Sequence, residues 1–466
     1  MKRTATLAGF LAALVLGLGL AAAGQPPEIC WTAAVTLLCA VWWITEAIPI
    51  PVTALVPFAV FPLVGVLTPA QVGQAYGSPL ILLYLGGFML STAMEKSGAH
   101  RRLALGMVNV FGGSGDRGVV FGFMAAAAFL SMWISNTATS LMLLPIALAT
   151  LENVQSRRLK IGLLLGIAYA CNVGGIGTPI GTPPNLIFMQ VFTDTTGVQL
   201  GFVDWMTWGL PVVVIFVPLI ALWVTRGVSR SRTIALPDVG AWRSEEKRTL
   251  AVFALTALAW MTRTDPFGGW STWLDLPQAN DASVALLAVL LMFLIPSGMA
   301  NDGNGGGAGG KGGRLLDWET AIKIPWGILI LFAGGICIAN AFVSSGISQI
   351  VGEALGALST LHPLIVLAVI CLSVTFLTEI TSNTATTALL MPILAAAAVG
   401  SGVDPRMLMV PAAMSASCAF MLPVATGPNA VIFASGHVPI RAMAREGLIL
   451  NLLGAAVLST ICFVLL

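Results

Sequence analysis

Between Ile29 and Met94 the sequence carries a single charged residue, Glu46, and residues 161–193 and 407–440 carry none. A water-soluble chain cannot fold with runs like these. Charged residues make up 9% of the 466 positions, against roughly 25% in soluble domains, too few to cover a surface of that size. The chain reads as an all-α protein that crosses a bilayer many times. A net charge of +2 leaves no basic surface for nucleic acid, so no nucleic-acid partner is expected. The seven cysteines lack CxxC spacing, and His100, His362 and His437 lack the spacing of metal ligands.

A helix needs about 20 residues to cross the hydrocarbon core. Apolar stretches read against breakers predict spans near 5–23, 29–47, 51–67, 78–95, 161–190, 206–226, 249–262, 282–297, 325–343, 407–435 and 447–466. Two further stretches, 118–150 and 363–398, carry a polar tripeptide at their middle and are expected to be re-entrant hairpins. The expected fold is therefore about eleven transmembrane helices plus two hairpins. With the N-terminus in the cytoplasm, every Lys and Arg except Arg263 and Arg406 falls on the cytoplasmic side, as the positive-inside rule requires. The C-terminus is then extracytoplasmic, and the inner (plasma) membrane is the expected location. Met1-Lys2-Arg3, the apolar run Leu7–Leu20 and three alanines fit both a cleaved leader and a retained first helix. Retention is the reading adopted.

Four regions follow: 1–77, mainly scaffold; 78–226, a first repeat with hairpin 118–150 and broken helix 161–190; 227–324, connecting spans and a linker; and 325–466, a second repeat with hairpin 363–398 and broken helix 407–435. Asn301–Gly313 (NDGNGGGAGGKGG) is a flexible linker by composition. Gly305–Lys311 fits the start of a phosphate loop, but Gly312 stands where Ser or Thr belongs. Segments 97–117 and 227–248 are interfacial helices or solvated connectors. Trp42-Trp43 reads as an interfacial anchor.

The halves align. Leu83-Tyr84-Leu85-Gly86-Gly87 matches Leu331-Phe332-Ala333-Gly334-Gly335, and Ser135-Asn136-Thr137-Ala138-Thr139 recurs as Ser382-Asn383-Thr384-Ala385-Thr386. Thr182-Pro183-Pro184-Asn185 recurs as Thr426-Gly427-Pro428-Asn429. Five expected spans lie between the hairpins, so the second repeat is expected upside-down. Inverted repeats with broken helices point to a secondary transporter rather than a channel.

Ser, Asn and Thr cap helices, so each SNT is expected at a hairpin tip with a helix starting behind it. Thr-Pro and Thr-Gly-Pro likewise restart the two broken helices. Four helix N-termini aimed at one region make an anion site without Lys or Arg. The carbonyls ending each preceding arm suit a small cation such as Na+. Glu46 reads as solvated or structural. Glu379 is left open between a structural acceptor and part of a cation path. No nucleophile–base pair or metal cluster falls within the spans, so no enzyme activity is expected.

FLSMWISNTATSLMLLPIALA (129–149), TEITSNTATTALLMPI (378–393), GGIGTPIGTPPNLI (174–187), LPVATGPNAVIF (422–433) and WWITEAIPIPVTALVPFAVFPLVGV (42–66) resemble the divalent anion/sodium symporter family, the dicarboxylate and citrate carriers. The resemblance covers nearly the whole chain. It implies a homodimer in the lipid bilayer, each protomer with a scaffold and a transport domain that moves like an elevator. It implies that Asn136, Thr137, Asn383 and Thr384 contact substrate carboxylates, with Thr182 and Thr426 nearby. It places one Na+ at Ser131, Ser135, Asn136 and the backbone near Gly181. A second Na+ falls at Thr378, Thr381, Asn383 and the backbone near Ala425. The substrate implied is a C4-dicarboxylate such as succinate, malate or fumarate. Sodium-independent exchange, citrate, tartrate or sulfate transport, and an anion channel stand as alternatives. Gly427, where the first repeat has Pro183, departs between the halves.

Overall fold

The computed structural model describes residues 2–111, 115–152, 154, 156–228, 240–264, 268–298, 313–354 and 362–466. Arg230, Arg232 and the glycine-rich run 301–312, with its phosphate-loop-like segment, lie outside these. Among the described residues the only extended pairing is an isolated bridge between Pro296 and Arg314. Ser297 N–H donates to Gly313 O there at 2.6 Å, so the chain leaves for the linker and returns at one place.

The amino-terminal region comprises α1 (Lys2–Ala22), α2 (Pro27–Thr45), α3 (Ile50–Thr53), α4 (Leu55–Leu63) and α5 (Pro69–Tyr76). The first repeat follows as α6 (Pro79–Ser97), α7 (Ala99–Phe111), α8 (Gly115–Ser131), α9 (Asn136–Thr150), α10 (Arg157–Gly174), α11 (Pro183–Thr196) and α12 (Phe202–Val224). Connecting helices are α13 (Ser244–Met261), α14 (Gly269–Trp273), α15 (Asp281–Leu294) and α16 (Trp318–Ala321). The second repeat restates the first: α17 (Trp326–Ser345), α18 (Ile347–Ala354), α19 (Pro363–Thr378), α20 (Asn383–Ser401), α21 (Pro405–Ala416), α22 (Gly427–Ala434) and α23 (Ile440–Leu465).

Among the described residues eight helical segments are long and apolar enough to cross a membrane, where about eleven spans were expected. The difference lies in particular elements. Span 51–67 is the short pair α3–α4, span 282–297 is the 14-residue α15, and span 407–435 is split into α21 and α22. Span 249–262 lies within α13, whose first turns are charged. Conversely α20, expected as half a hairpin, is 19 residues and qualifies by itself. The last helix starts at Ile440 rather than 447, so Arg441 and Arg445 sit in its first turns. Trp42 and Trp43 are buried, not interfacial: their ring N–H groups donate to Thr6 O and Ile50 O.

The paired glycines of the repeat have a packing reason. A Cβ on Gly86 would lie 2.6 Å from Ala285 Cβ, and one on Gly334 2.7 Å from Ala54 O. Each seats its helix on a neighbour outside the hairpins. The following residues, Gly87 and Gly335, face Ile180 and Ala388, which belong to the first break and the second hairpin. The repeated helices α6 and α17 thus form a thin layer between two groups of elements.

Ion pairs respect the partition read from the charge pattern. Lys96–Asp317, Arg102–Glu246, Arg243–Glu245 and Arg226–Glu446 each join residues assigned to one face. Arg263–Asp281 and Arg406–Asp404 each join residues assigned to the other.

Candidate functional site

Both SNT tripeptides form helix starts at hairpin tips. Four residues, 132–135 and 379–382, separate the arms of each hairpin. Ser135 Oγ accepts from Ala138 N–H and Ser382 Oγ from Ala385 N–H, both at 3.5 Å. Each cap satisfies one donor of its helix end, and at the second tip Asn383 Oδ1 takes the Thr384 N–H as well.

The breaks are built on one plan, held by an asparagine seven and ten residues beyond two carbonyls. Asn185 Nδ2 donates to Gly175 O (2.9 Å) and Thr178 O (2.7 Å). Asn429 Nδ2 donates to Ala419 O (3.0 Å) and Leu422 O (3.1 Å). Both asparagines are fully buried. A chain that leaves its helix inside an apolar protein must have its carbonyls satisfied, and one amide per break does so. The repeated Asn carried that signal in the sequence without being assigned the role.

The two breaks are tied to their hairpin tips by different chemistry. In the first repeat the Thr178 hydroxyl donates to Met132 O. The corresponding residues of the second repeat are Leu422 and Glu379. The Glu379 carboxylate accepts Phe420 N–H (2.7 Å), Met421 N–H (2.8 Å), Leu422 N–H (3.0 Å) and the Asn451 amide (2.8 Å). Glu379 is therefore a structural acceptor, fully engaged on its own protein.

Tips and breaks meet in one cavity of about 930 Å³. Ser135, Asn136, Thr137, Gly181, Thr182, Thr381, Asn383, Thr384, Ala425 and Thr426 all line it. Ser131 and Thr378 do not: they lie fully buried behind the tips, at the ends of α8 and α19. Asn172, from α10, also lines the cavity and was not anticipated from the sequence. The floor holds no charged side chain. Glu46, Glu95, Lys96 and Lys323 stand among the lining residues contributed by α6 and by the connections beyond the tips, on the face the charge pattern assigns to the cytoplasm. Lys96 is neutralised by Asp317 at 2.5 Å. Its hydrogen bond holds that carboxyl down at about 2, so the pair contributes above the ordinary carboxylate range and is lost only as pH falls through about 2.

The candidate cation sites differ in readiness. At the first, Ser131 Oγ and Asn136 Oδ1 are buried without a hydrogen-bond partner. A Cβ built on Gly175 would lie 2.8 Å from Asn136 Nδ2, 2.9 Å from that Asn136 Oδ1 and 3.1 Å from Gly181 O, so the Asn136 amide and the Gly181 carbonyl both pack against the bare backbone of Gly175. Unpartnered buried oxygens are costly, and a small cation would satisfy them. At the second, Thr378 donates to Ala416 O (3.0 Å), Thr381 pairs with Thr386 Oγ1 (2.6 Å), and Asn383 Oδ1 accepts Thr384 N–H (2.9 Å).

The departure at Gly427 also has a cause. A Cβ there would run into Thr137 Oγ1 of the first hairpin, so the second break needs a glycine where the first tolerates Pro183.

A polar cavity inside an apolar helical bundle, ringed by four helix starts and two broken helices, defines a membrane carrier of small solutes. The chain belongs to the citrate transporter family, whose model matches residues 40–408. It is 39% identical over 456 residues to a sodium-dependent dicarboxylate transporter of Staphylococcus saprophyticus, covering 93% of this chain and 85% of that protein. It is 37% identical over 465 residues to the transporter of the same name from Staphylococcus aureus strain USA300, covering 94% and 87%. Two solved transporters share the fold, each with a TM-score of 0.57 over 86% of this chain. They are YdaH of Alcanivorax borkumensis (16% identical, 86% of that chain) and MtrF of Neisseria gonorrhoeae (12% identical, 83% of that chain). The chain is a multi-pass membrane transporter, not an enzyme.

Proposed function

We propose that this protein couples inward Na+ movement to the uptake of C4-dicarboxylates such as succinate, malate or fumarate. The observation that carries the reading is the convergence of four helix starts on a floor without charge, beside two buried oxygens that lack partners. Removing two carboxylates from water costs several kcal/mol each. Helix ends, amides and hydroxyls offset part of that, and cations supply the rest.

Na+ binds first, at Ser131, Ser135, Asn136 and the Gly181 carbonyl, and draws the first tip and first break together. The second Na+ site uses the oxygen lone pairs that Thr378 and Thr381 keep while donating to Ala416 O and Leu377 O, together with Asn383 Oδ1, which now accepts Thr384 N–H. The dicarboxylate then lies between Asn136-Thr137 and Asn383-Thr384, with Thr182 and Thr426 at the restarted helices. Neutralised, the body of hairpins and broken helices slides as an elevator against a scaffold of amino-terminal and connecting helices, which pairs into a homodimer. The small faces of Gly87 and Gly335 suit that sliding layer. The cavity opens toward the lysine-bearing, cytoplasmic face, so the conformation is the inward-open one of an inverted repeat in the plasma membrane. The N-terminus lies in the cytoplasm and the C-terminus outside.

In proteoliposomes, an inward Na+ gradient is expected to drive saturable succinate uptake that a K+ gradient does not. Vigorous counterflow into succinate-loaded vesicles without Na+ would instead establish exchange, and conductance without saturation a channel. A substrate panel with citrate, tartrate and sulfate completes the assay. Gly427→Ala, by displacing the Thr137 hydroxyl, is expected to raise the succinate KM about tenfold, in keeping with the loss of one hydrogen bond to a charged group. An unchanged KM would place Thr137 away from the substrate.

A further inference from the structure

We infer that Asn172 is a positioning residue that holds the Thr426 hydroxyl as an obligate hydrogen-bond donor toward the cavity. The inference rests on the dicarboxylate reading above. It follows from a chain of fixed polarities. Asn429 spends both amide hydrogens on backbone carbonyls, Ala419 O and Leu422 O. Carbonyls only accept, so this amide has one orientation, and Asn429 Oδ1 faces away from them. Asn172 lies 3.2 Å from that oxygen and must present its own nitrogen. The same Nδ2 reaches Thr426 Oγ1 at 3.1 Å and, more distantly, Ala419 O at 3.4 Å, so its two hydrogens go to the two nearer acceptors, Thr426 Oγ1 and Asn429 Oδ1. Thr426 Oγ1 also accepts from Asn429 N–H at 3.3 Å. A hydroxyl has two lone pairs and one proton. With both lone pairs engaged, Thr426 has only its proton to offer, and it lines the cavity.

The first repeat lacks this arrangement. Asn185 is held by equivalent carbonyls, but its Oδ1 has no partner, and the residue corresponding to Asn172 is Ala416. Thr182 caps nothing with its side chain, so its hydroxyl is free to rotate. The two ends of the site are therefore unequal. The Thr426 end is set for an acceptor such as a carboxylate before substrate arrives. The Thr182 end adjusts to what binds. Asn172 thus sits in one repeat and sets the chemistry of the other.

A double-mutant cycle tests this. Asn172→Leu keeps the size of the side chain and removes the donor; Asn172→Ser is a milder second variant. Each is paired with Thr426→Ala, and uptake is measured in proteoliposomes against succinate and against Na+. Asn172→Leu is expected to raise the succinate KM five- to twentyfold, with kcat and Na+ half-saturation within twofold of wild type. The Asn172→Leu/Thr426→Ala protein is expected to be no worse than Thr426→Ala alone. A KM unchanged in both Asn172 variants overturns the inference, as do effects that multiply in the double variant. A fall in kcat alone makes Asn172 merely structural and overturns it too. Should Asn172→Leu fail to fold, the same cycle run with Asn172→Ser decides by the same criteria. Absence of succinate uptake by the wild-type protein would instead sink the substrate reading itself.

Discussion

Succinate uptake by the Asn136→Ala/Asn383→Ala protein is expected to fall at least a hundredfold in kcat/KM. In the proposed site each amide donates to a carboxylate with no Lys or Arg on the tips or breaks beside it, and a hydrogen bond to a charged group is worth about 1.5–3 kcal/mol. Two such losses amount to a factor of about 10² to 10⁴. The single variants should differ in kind. Asn136 Oδ1 is buried without a partner, beside the Gly181 carbonyl, so in the proposed site its loss removes a cation ligand as well as a substrate donor. Asn136→Ala should therefore shift Na+ half-saturation and succinate KM together. Asn383 Oδ1 is already engaged by Thr384 N–H, and Asn383→Ala should act first on the succinate KM. Wild-type uptake by the double variant would remove the SNT tips from the binding site altogether.

The elements that the sequence disclosed are those that repeat. SNT tips, Thr-Pro and Thr-Gly-Pro restarts and paired glycines occur twice; the tips and restarts meet at one cavity, and the glycines, read in the sequence only as markers of the repeat, prove to pack. What the repeat could not explain is what breaks it. Asn172, with Ala416 as its counterpart, went unnoticed; Glu379, with Met132 as its counterpart, and Gly427, opposite Pro183, stood out in the sequence, but their partners did not. No alignment of the halves can announce a contact that one half lacks. A cruder signal was available: Asn172 is a lone amide between apolar residues in an uncharged stretch, and such a residue needs partners. Span counting failed for another reason. Apolar stretches report what is kept from water, not whether a single straight helix does the crossing. Hence α21 and α22 together form an expected span, while α20 alone is long enough for one.

Glu379→Ala is expected to abolish transport and to lower the thermal stability of the purified protein sharply. The carboxylate holds three consecutive N–H groups, those of Phe420, Met421 and Leu422, and the Asn451 amide. Phe420 and Asn451 are fully buried, so water cannot replace the acceptor they lose, and each orphaned buried donor costs about 1–3 kcal/mol. The segment they belong to leads directly to Ala425, Thr426 and the restart of α22, so it cannot relax without moving the site. Glu379→Gln separates the two consequences. Its amide oxygen can still take Phe420 and Met421 N–H, while its NH2 group meets the Leu422 N–H it should have accepted. Stability is therefore expected to rank wild type, then Glu379→Gln, then Glu379→Ala, and the succinate KM to rise in that order. A Glu379→Ala protein with wild-type melting temperature and altered Na+ stoichiometry would put the carboxylate on a cation path instead. The first repeat makes the same tip-to-break link with one hydroxyl, Thr178 to Met132 O. Thr178→Val should accordingly cost far less than Glu379→Ala. The second break, from Ser417 to Thr426, is ten residues against the eight of the first, 175–182, and an anion that gathers three N–H groups holds that longer stretch in place.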